Sequence, residues 1–295
     1  MQVKLNPGDE PRLAKFYCYR YAVIPNAQMS IWSDIANSKR HVVDELVRHC
    51  STVGPFQSNY YGADNVLVYN RPLDTKTHLF KFCKRRSVKR FEIETDGSDV
   101  IQREEDSFPY AYLIVNLEWQ VVLIERKPDV FKNPGGAKGA FSALVKTFMA
   151  DDNYYFSLDE ITATASFWDT VESADAVFDV TLKLKSPNFL GAGYTTTELL
   201  SRIKKVSNND SVTVRLEDES GRLQVPRSEF EDAVEYATAG GGTWAITTSS
   251  GGAKRIRHKS DEFVREVELT IGSQGKLIDD GIAITIREIG AKKEA

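Results

Sequence analysis

The stretch Glu125-Arg126-Lys127 sets a carboxylate and an amine two residues apart, on one face if the segment is a strand. A hairpin pairing Val115 with Gln120 would bring Asp106 to that face as well. An Asp and a Glu flanking a Lys on adjacent strands can hold Mg²⁺ and orient a water for phosphodiester cleavage. The arrangement depends on register, because a slip of one residue sends every side chain to the opposite face. The plainer reading makes Glu125 and Lys127 exposed charges at a strand end.

Other chemical signatures are weaker. His41 and His49 stand eight apart, without the HExxH spacing of a metalloprotease, and His78 and His258 are solitary. Neither a GxSxG elbow nor a Cys-His arrangement marks a nucleophile. NPGGAKGAF, with Lys138, offers backbone N–H groups at a helix start but lacks the GK[ST] ending of a P-loop. AGGGTWAI lacks the GxGxxG spacing and leads into a strand, so it reads as a helix stop. No cofactor or metal is expected, apart from Mg²⁺ if the Asp106, Glu125 and Lys127 set is catalytic.

Charge clustering is the stronger signal. KFCKRRSVKR, residues 81–90, holds six Lys or Arg in ten positions, and an acidic run follows at once. AKRIRHK, residues 253–259, follows Ser-Ser-Gly-Gly and reads as a cationic hairpin tip. Such a ribbon reaches phosphates without reading bases. Lys84, Arg85, Arg86, Lys89 and Arg90, with Lys254, Arg255, Arg257 and Lys259, are therefore the candidate phosphate contacts. The bland alternative is solvated charge, with Glu92, Glu94 and Asp96 balancing the first cluster. Convergence of both clusters on one groove is what would favour nucleic acid. The 295-residue chain carries a net charge of −4, so any such attraction must be local.

A hydrophobic fraction of 41% and a charged fraction of 27% are those of a soluble globular protein. Cys18, Cys50 and Cys83 are distant and odd in number, which fits buried thiols in a reducing cytoplasm. No apolar run is long enough to span a membrane.

The elements that position these residues predict an α+β protein of two domains, 1–150 and 151–295, each a mostly antiparallel sheet with packed helices. In the first, KFYCYRYAVI opens as a strand, 38–50 is a helix, 54–64 a loop, and THLFKFCKR a strand. Apolar runs at 110–115 and 120–126 form a buried hairpin, followed by a helix burying Phe141, Leu144, Val145 and Phe148. The polar segment 149–160 is the expected boundary. Beyond it the pattern reads β-α-β-α-β. FDVTLKLK and SVTVRL alternate as half-buried strands, and one helix turns Leu199, Leu200, Ile203 and Val206 inward. Residues 243–272 read as one long hairpin.

Two resemblances follow. Asp106 with ERK at 125–127 resembles the pattern of the PD-(D/E)xK nucleases, although no Pro precedes Asp106. The order of KFYCYRY, HLFKFCKRRSVKR, PYAYLIVNLEWQVVLIE and the run from FDVTLKL through SVTVRL resembles the RexA-like phage-exclusion proteins and related bacterial antiphage proteins. That resemblance implies a cytoplasmic homodimer that binds DNA without sequence preference and acts in phage exclusion. It supplies no active site. Three readings stay open: a DNA-binding protein of antiphage defence, a Mg²⁺-dependent nuclease, and a subunit that docks a protein partner encoded in the same operon.

Overall fold

The computed structural model describes residues 11–25, 35–93, 99–150, 154–185, 195–207, 209–252, 254–272 and 275–290. Its first strand, β1 (Arg12–Pro25), alternates side chains that are buried on both faces. Tyr17, Tyr19, Tyr21 and Val23 enter one apolar cluster, while Ala14, Phe16 and Cys18 enter another. A strand that is apolar on both faces belongs inside a sheet covered on both sides, and β1 takes that place.

The sheet also contains β2 (Phe56–Tyr60), β3 (Ala63–Pro72), β4 (Thr77–Lys84), β7 (Tyr110–Asn116), β8 (Val121–Glu125), β9 (Tyr154–Glu160) and β14 (Glu266–Ile271). Its order is β14-β1-β8-β7-β4-β3-β2, with β9 also on β1, and every pairing is antiparallel. Helices α1 (Ile35–Thr52) and α2 (Pro134–Phe148) pack on one side. Helix α6 (Ile282–Gly290) covers the other through Ile282, Ile286 and Ile289. Asn133 caps α2 by accepting from the Gly136 N–H at 2.8 Å, with Pro134 at the first helical position.

The second sheet has the order β11-β10-β12-β13, from β10 (Ala176–Lys185), β11 (Ser211–Glu217), β12 (Gly242–Ser249) and β13 (Ile256–Lys259). Helices α3 (Thr164–Glu172), α4 (Thr195–Ser207) and α5 (Arg227–Tyr236) supply Phe167, Trp168, Leu200, Val234 and Tyr236 to its core. A separate two-stranded ribbon, β5 (Arg86–Ile93) with β6 (Val100–Ser107), continues from β4 and returns into β7.

The α+β class and the antiparallel sheets agree with the sequence reading; several details differ. The 54–64 loop is a hairpin, made possible by left-handed Tyr61 (φ 48°) and Gly62 (φ 76°), the twist that a two-residue connection requires. The basic strand breaks at Arg85. The hairpin at 110–125 pairs Val115 with Val122, because Leu117–Gln120 form the turn. There the Asn116 side chain accepts from the Trp119 N–H at 2.6 Å and Gln120 sits at φ 53°.

Segment 149–160 contains β9, which pairs with β1 across the expected boundary. The long C-terminal hairpin also divides. Its second half turns back as β13, and residues 266–271 cross to the first sheet as β14. A division at residue 150 therefore cuts through the eight-stranded sheet. Of the four apolar residues expected inward on α4, Leu200 is buried and Ile203 half-buried, while Leu199 and Val206 face outward. Thr196 sets that rotation by binding Asp232 of α5 through its N–H (2.7 Å) and hydroxyl (2.6 Å).

Candidate nucleic-acid interface

The helices of the second sheet all contribute to one face, where Val180, Leu182, Leu184, Trp244 and Ile246 form the core. Strand periodicity puts the intervening residues on the other face. β10 shows this directly, since Leu182 and Leu184 are buried while Lys183 is exposed. Antiparallel sheets commonly pack one face and leave the other to solvent.

Registers assemble that open face in rows. Thr213, Lys183 and Thr243 lie side by side. Next come Arg215, Thr181, Ala245 and Lys259, and then Glu217, Asp179, Thr247 and Arg257. Four strands at ~4.8 Å spacing make a platform roughly 15 Å wide.

The cations are not equally engaged. The Arg215 Nε donates to Asp179 at 2.5 Å and its Nη2 to Glu217 at 3.2 Å. Asp179 raises the pKa of this guanidinium above its ordinary value. Arg255 lies 3.8 Å above the Phe178 ring and donates to the Glu219 carbonyl at 3.0 Å. Lys183, Arg257 and Lys259 have no ion-pair partner among the described residues and are exposed. A concavity of about 170 Å³ lies where Arg255 and Arg257 meet Asp179 and Arg215. Lys183 and Lys259 thus lie among threonine hydroxyls, while Arg257 stands at the end that also carries Asp179, Glu217, Asp218 and Glu219.

Arg257 and Lys259, expected at a hairpin tip, therefore stand on an edge strand, because the turn closes before residue 256. Lys254 and Arg255 occupy the connector and are exposed. Lys183 and Arg215 were not singled out from sequence. Their signal was the alternation of FDVTLKLK and SVTVRL, which puts Lys183 and Arg215 opposite the apolar positions of their strands.

The first basic cluster is placed differently. It lies on the β5–β6 ribbon and its base, and each strand faces the other's charges. Arg85 holds Asp106 at 2.8 Å and Asp64 at 3.6 Å. Arg90 holds Glu105 at 3.2 Å, and Lys89 stands opposite Glu104. Arg86 donates to the Asp129 carbonyl. Lys84 is half-buried at the end of β4. Glu92 pairs with Arg103 at 3.6 Å; Glu94 and Asp96 lie outside the described residues. No hydrogen bond or ion pair among the described residues joins the two basic clusters.

The Asp106, Glu125 and Lys127 set is not held together. Glu125 is 3% exposed, bound to Arg12 at 3.0 Å and to the Tyr112 N–H at 3.0 Å. Lys127 sits 4.8 Å over the Tyr110 ring, and Asp106 is occupied by Arg85. The register that would align them is displaced by two residues on β8. Glu125→Ala is expected to lower stability by about 2 kcal/mol, the scale of losing a buried charged hydrogen-bond acceptor. Plasmid incubated with Mg²⁺ should be equally intact with either protein, as read by thermal melts and gel electrophoresis.

Remaining candidates are structural. His49 packs edge-on against Phe56 and Phe148, His258 lies by Phe263, and His78 by Tyr69. The His41 side chain lies outside the described residues. Burial pushes Cys18 up to about 12 and Cys50 up to about 11, and raises Cys83, so all three thiols stay protonated at neutral pH. At the α2 start, the Gly136 N–H is taken by Asn133, and Lys138 binds Glu160 at 2.7 Å. No group of three or more metal-ligating side chains occurs among the described residues. No described helix is long and apolar enough to cross a membrane.

No protein-family model, curated protein or solved structure matches the chain. The likeness to the RexA-like proteins and to the PD-(D/E)xK pattern therefore rests on the quoted segments alone.

Proposed function

We propose that the protein binds DNA through the open face of the four-stranded sheet, contacting the phosphate backbone without reading base sequence. One observation carries this reading: Lys183, Arg257 and Lys259, which have no ion-pair partner among the described residues, share one sheet face with Arg215 and the hydroxyls of Thr181, Thr213, Thr243 and Thr247, and the Asp179 and Glu217 carboxylates on that face are taken up by Arg215. Cations and hydroxyls are the groups that hold phosphate oxygens. Recognition of single-stranded bases would need aromatic platforms. Among the described residues the one aromatic ring at this face, Phe178, is already covered by Arg255, so a duplex backbone is the better match. Lys254 and Arg255 extend the footprint at one end, and the ribbon cations contribute less because their own carboxylates neutralise them.

As a homodimer the protein would present two such faces and double the phosphates contacted per complex. The biological setting we attach to this activity is phage exclusion in the bacterial cytoplasm, the role implied by the layout of the sequence. Fluorescence anisotropy of labelled duplexes of unrelated sequence, titrated across salt, tests the binding itself. Equal affinities that fall steeply with salt are expected, since each neutralised phosphate adds ~0.9 to the log–log slope. Binding that ignores salt, or no binding to any duplex at low salt, overturns the reading.

A further inference from the structure

The β5–β6 ribbon has a feature that the DNA reading does not use. Both of its faces are open, and Phe91, Ile93 and Val100 are 69%, 74% and 57% exposed. Direct cross-strand partners share a face. One face therefore carries, from base to far end, Ser87 with Asp106, Lys89 with Glu104, Phe91 with Gln102, and Ile93 with Val100. The three most exposed apolar side chains of the ribbon all fall on this face, with the less exposed Val88 (41%) on the other. A lone two-stranded hairpin is marginal in water, and a contiguous apolar patch of this kind on a soluble chain marks an interaction site.

Charge decides among partners. Arg86, Lys89, Arg90 and Arg103 are cancelled by Glu92, Glu104, Glu105 and Asp106 on the same two strands. A neutral ribbon has no net attraction for a polyanion. It does have the pattern that an isologous contact requires, in which the same patch on each subunit complements itself. A two-fold axis running along the ribbon lays β5 of one copy over β6 of the other. Each residue then faces its own cross-strand partner from the second copy. Lys89 meets the second copy's Glu104, and Ile93 meets the second copy's Val100. The acidic and basic positions match, and the apolar ends coincide.

We propose that this ribbon face is a self-association surface, and that its occupant is the same face of a second copy of the chain. Phe91 and Ile93 supply the apolar anchor, and the Lys89–Glu104 pairs set orientation. This does not depend on DNA binding, because it is read from protein mass alone.

Analytical ultracentrifugation of the full chain without nucleic acid tests it. The parent protein is expected to sediment as a dimer in a concentration-dependent manner. The double variant Phe91→Asp with Ile93→Asp should weaken association by roughly thirtyfold or more, the scale of a hot-spot loss. Its circular dichroism and melting should be unchanged, since both side chains are exposed. Charge variants fix the geometry. Lys89→Glu alone and Glu104→Lys alone should each be monomeric, through like-charge repulsion across the axis, and an equimolar mixture should recover the dimer. A parent chain that stays monomeric at high concentration overturns the proposal. So does a dimer indifferent to Phe91 and Ile93, or a mixture of the charge variants that fails to reassociate.

Discussion

Changing Lys183, Arg257 and Lys259 together to alanine should lower duplex affinity about a hundredfold at about 0.15 M salt, at ~0.9 of log–log slope per contact. The same variant should flatten that slope by ~2.7 if each side chain neutralises one phosphate. The loss should be uniform across sequences, which separates phosphate contact from base reading. Folding should be unaffected, because all three side chains are exposed and unpaired among the described residues. The control is Arg85→Ala with Arg90→Ala. Those guanidinium groups are engaged by Asp64, Asp106 and Glu105, and their removal should leave affinity within a few fold. A greater loss in that control would move the interface to the ribbon. In a bacterial host, the triple variant should also lose any protection against phage that the parent confers, as counted by plaques.

The second large effect concerns stability. Lys185, at the end of β10, forms an ion pair with Asp159 of β9, joining the two sheets. Asp159 also accepts from the Ser157 hydroxyl at 3.1 Å. The pair lies near Lys138 and Glu160, which form their own bridge from α2 to β9. Asp159 is 4% and Lys185 18% exposed in side-chain terms. Asp159→Ala should therefore cost ~3–5 kcal/mol, because it strands a largely buried ammonium. That corresponds to a fall in melting temperature of roughly 10 °C for a chain of this size.

Burial already lowers the pKa of Lys185, against the pull of Asp159. Without Asp159 the folded-state value falls further below 10.5, so the unfolded chain holds more protons in that window. The variant should accordingly regain stability as pH rises toward 10.5, and Asp159→Ala with Lys185→Met should be more stable than Asp159→Ala alone. A loss that is independent of pH and unrelieved by Lys185→Met would show that the pair is not what joins the sheets.

Much of the second sheet was legible because its polarity alternates strictly. FDVTLKLK and SVTVRL announce one packed and one open face; β10 keeps both from Val180 onward, whereas Phe178 turns to the open side at a bulge and Val214 of β11 is 37% exposed. Helix α2 was legible from its apolar spacing. What escaped was decided by pairing at a distance. The largely polar β2 forms a strand because a left-handed turn folds it back on β3, whose buried Val66 and Leu67 are in turn held by β4. Residues 100–107 read only as a counterweight to the basic run, yet they are its cross-strand partner. The hairpin register turned on Asn116 and Gln120, which no periodicity reveals. The candidate site was half visible. Arg257 and Lys259 stood out as a cluster, whereas Lys183 and Arg215 join them only once β10 and β11 are aligned.

The edge of β1 has a consequence for how the chain is made. Its first half, Arg12–Tyr17, pairs with residues 266–271, while its second half pairs with β9. During synthesis the N-terminal strand leaves the ribosome long before the segment that completes its hydrogen bonding. Until residue 271 emerges, part of the central sheet is an open edge available to other nascent chains. Maturation should therefore be slow, late and sensitive to chaperone supply, as expected when the decisive contact spans nearly the whole polypeptide.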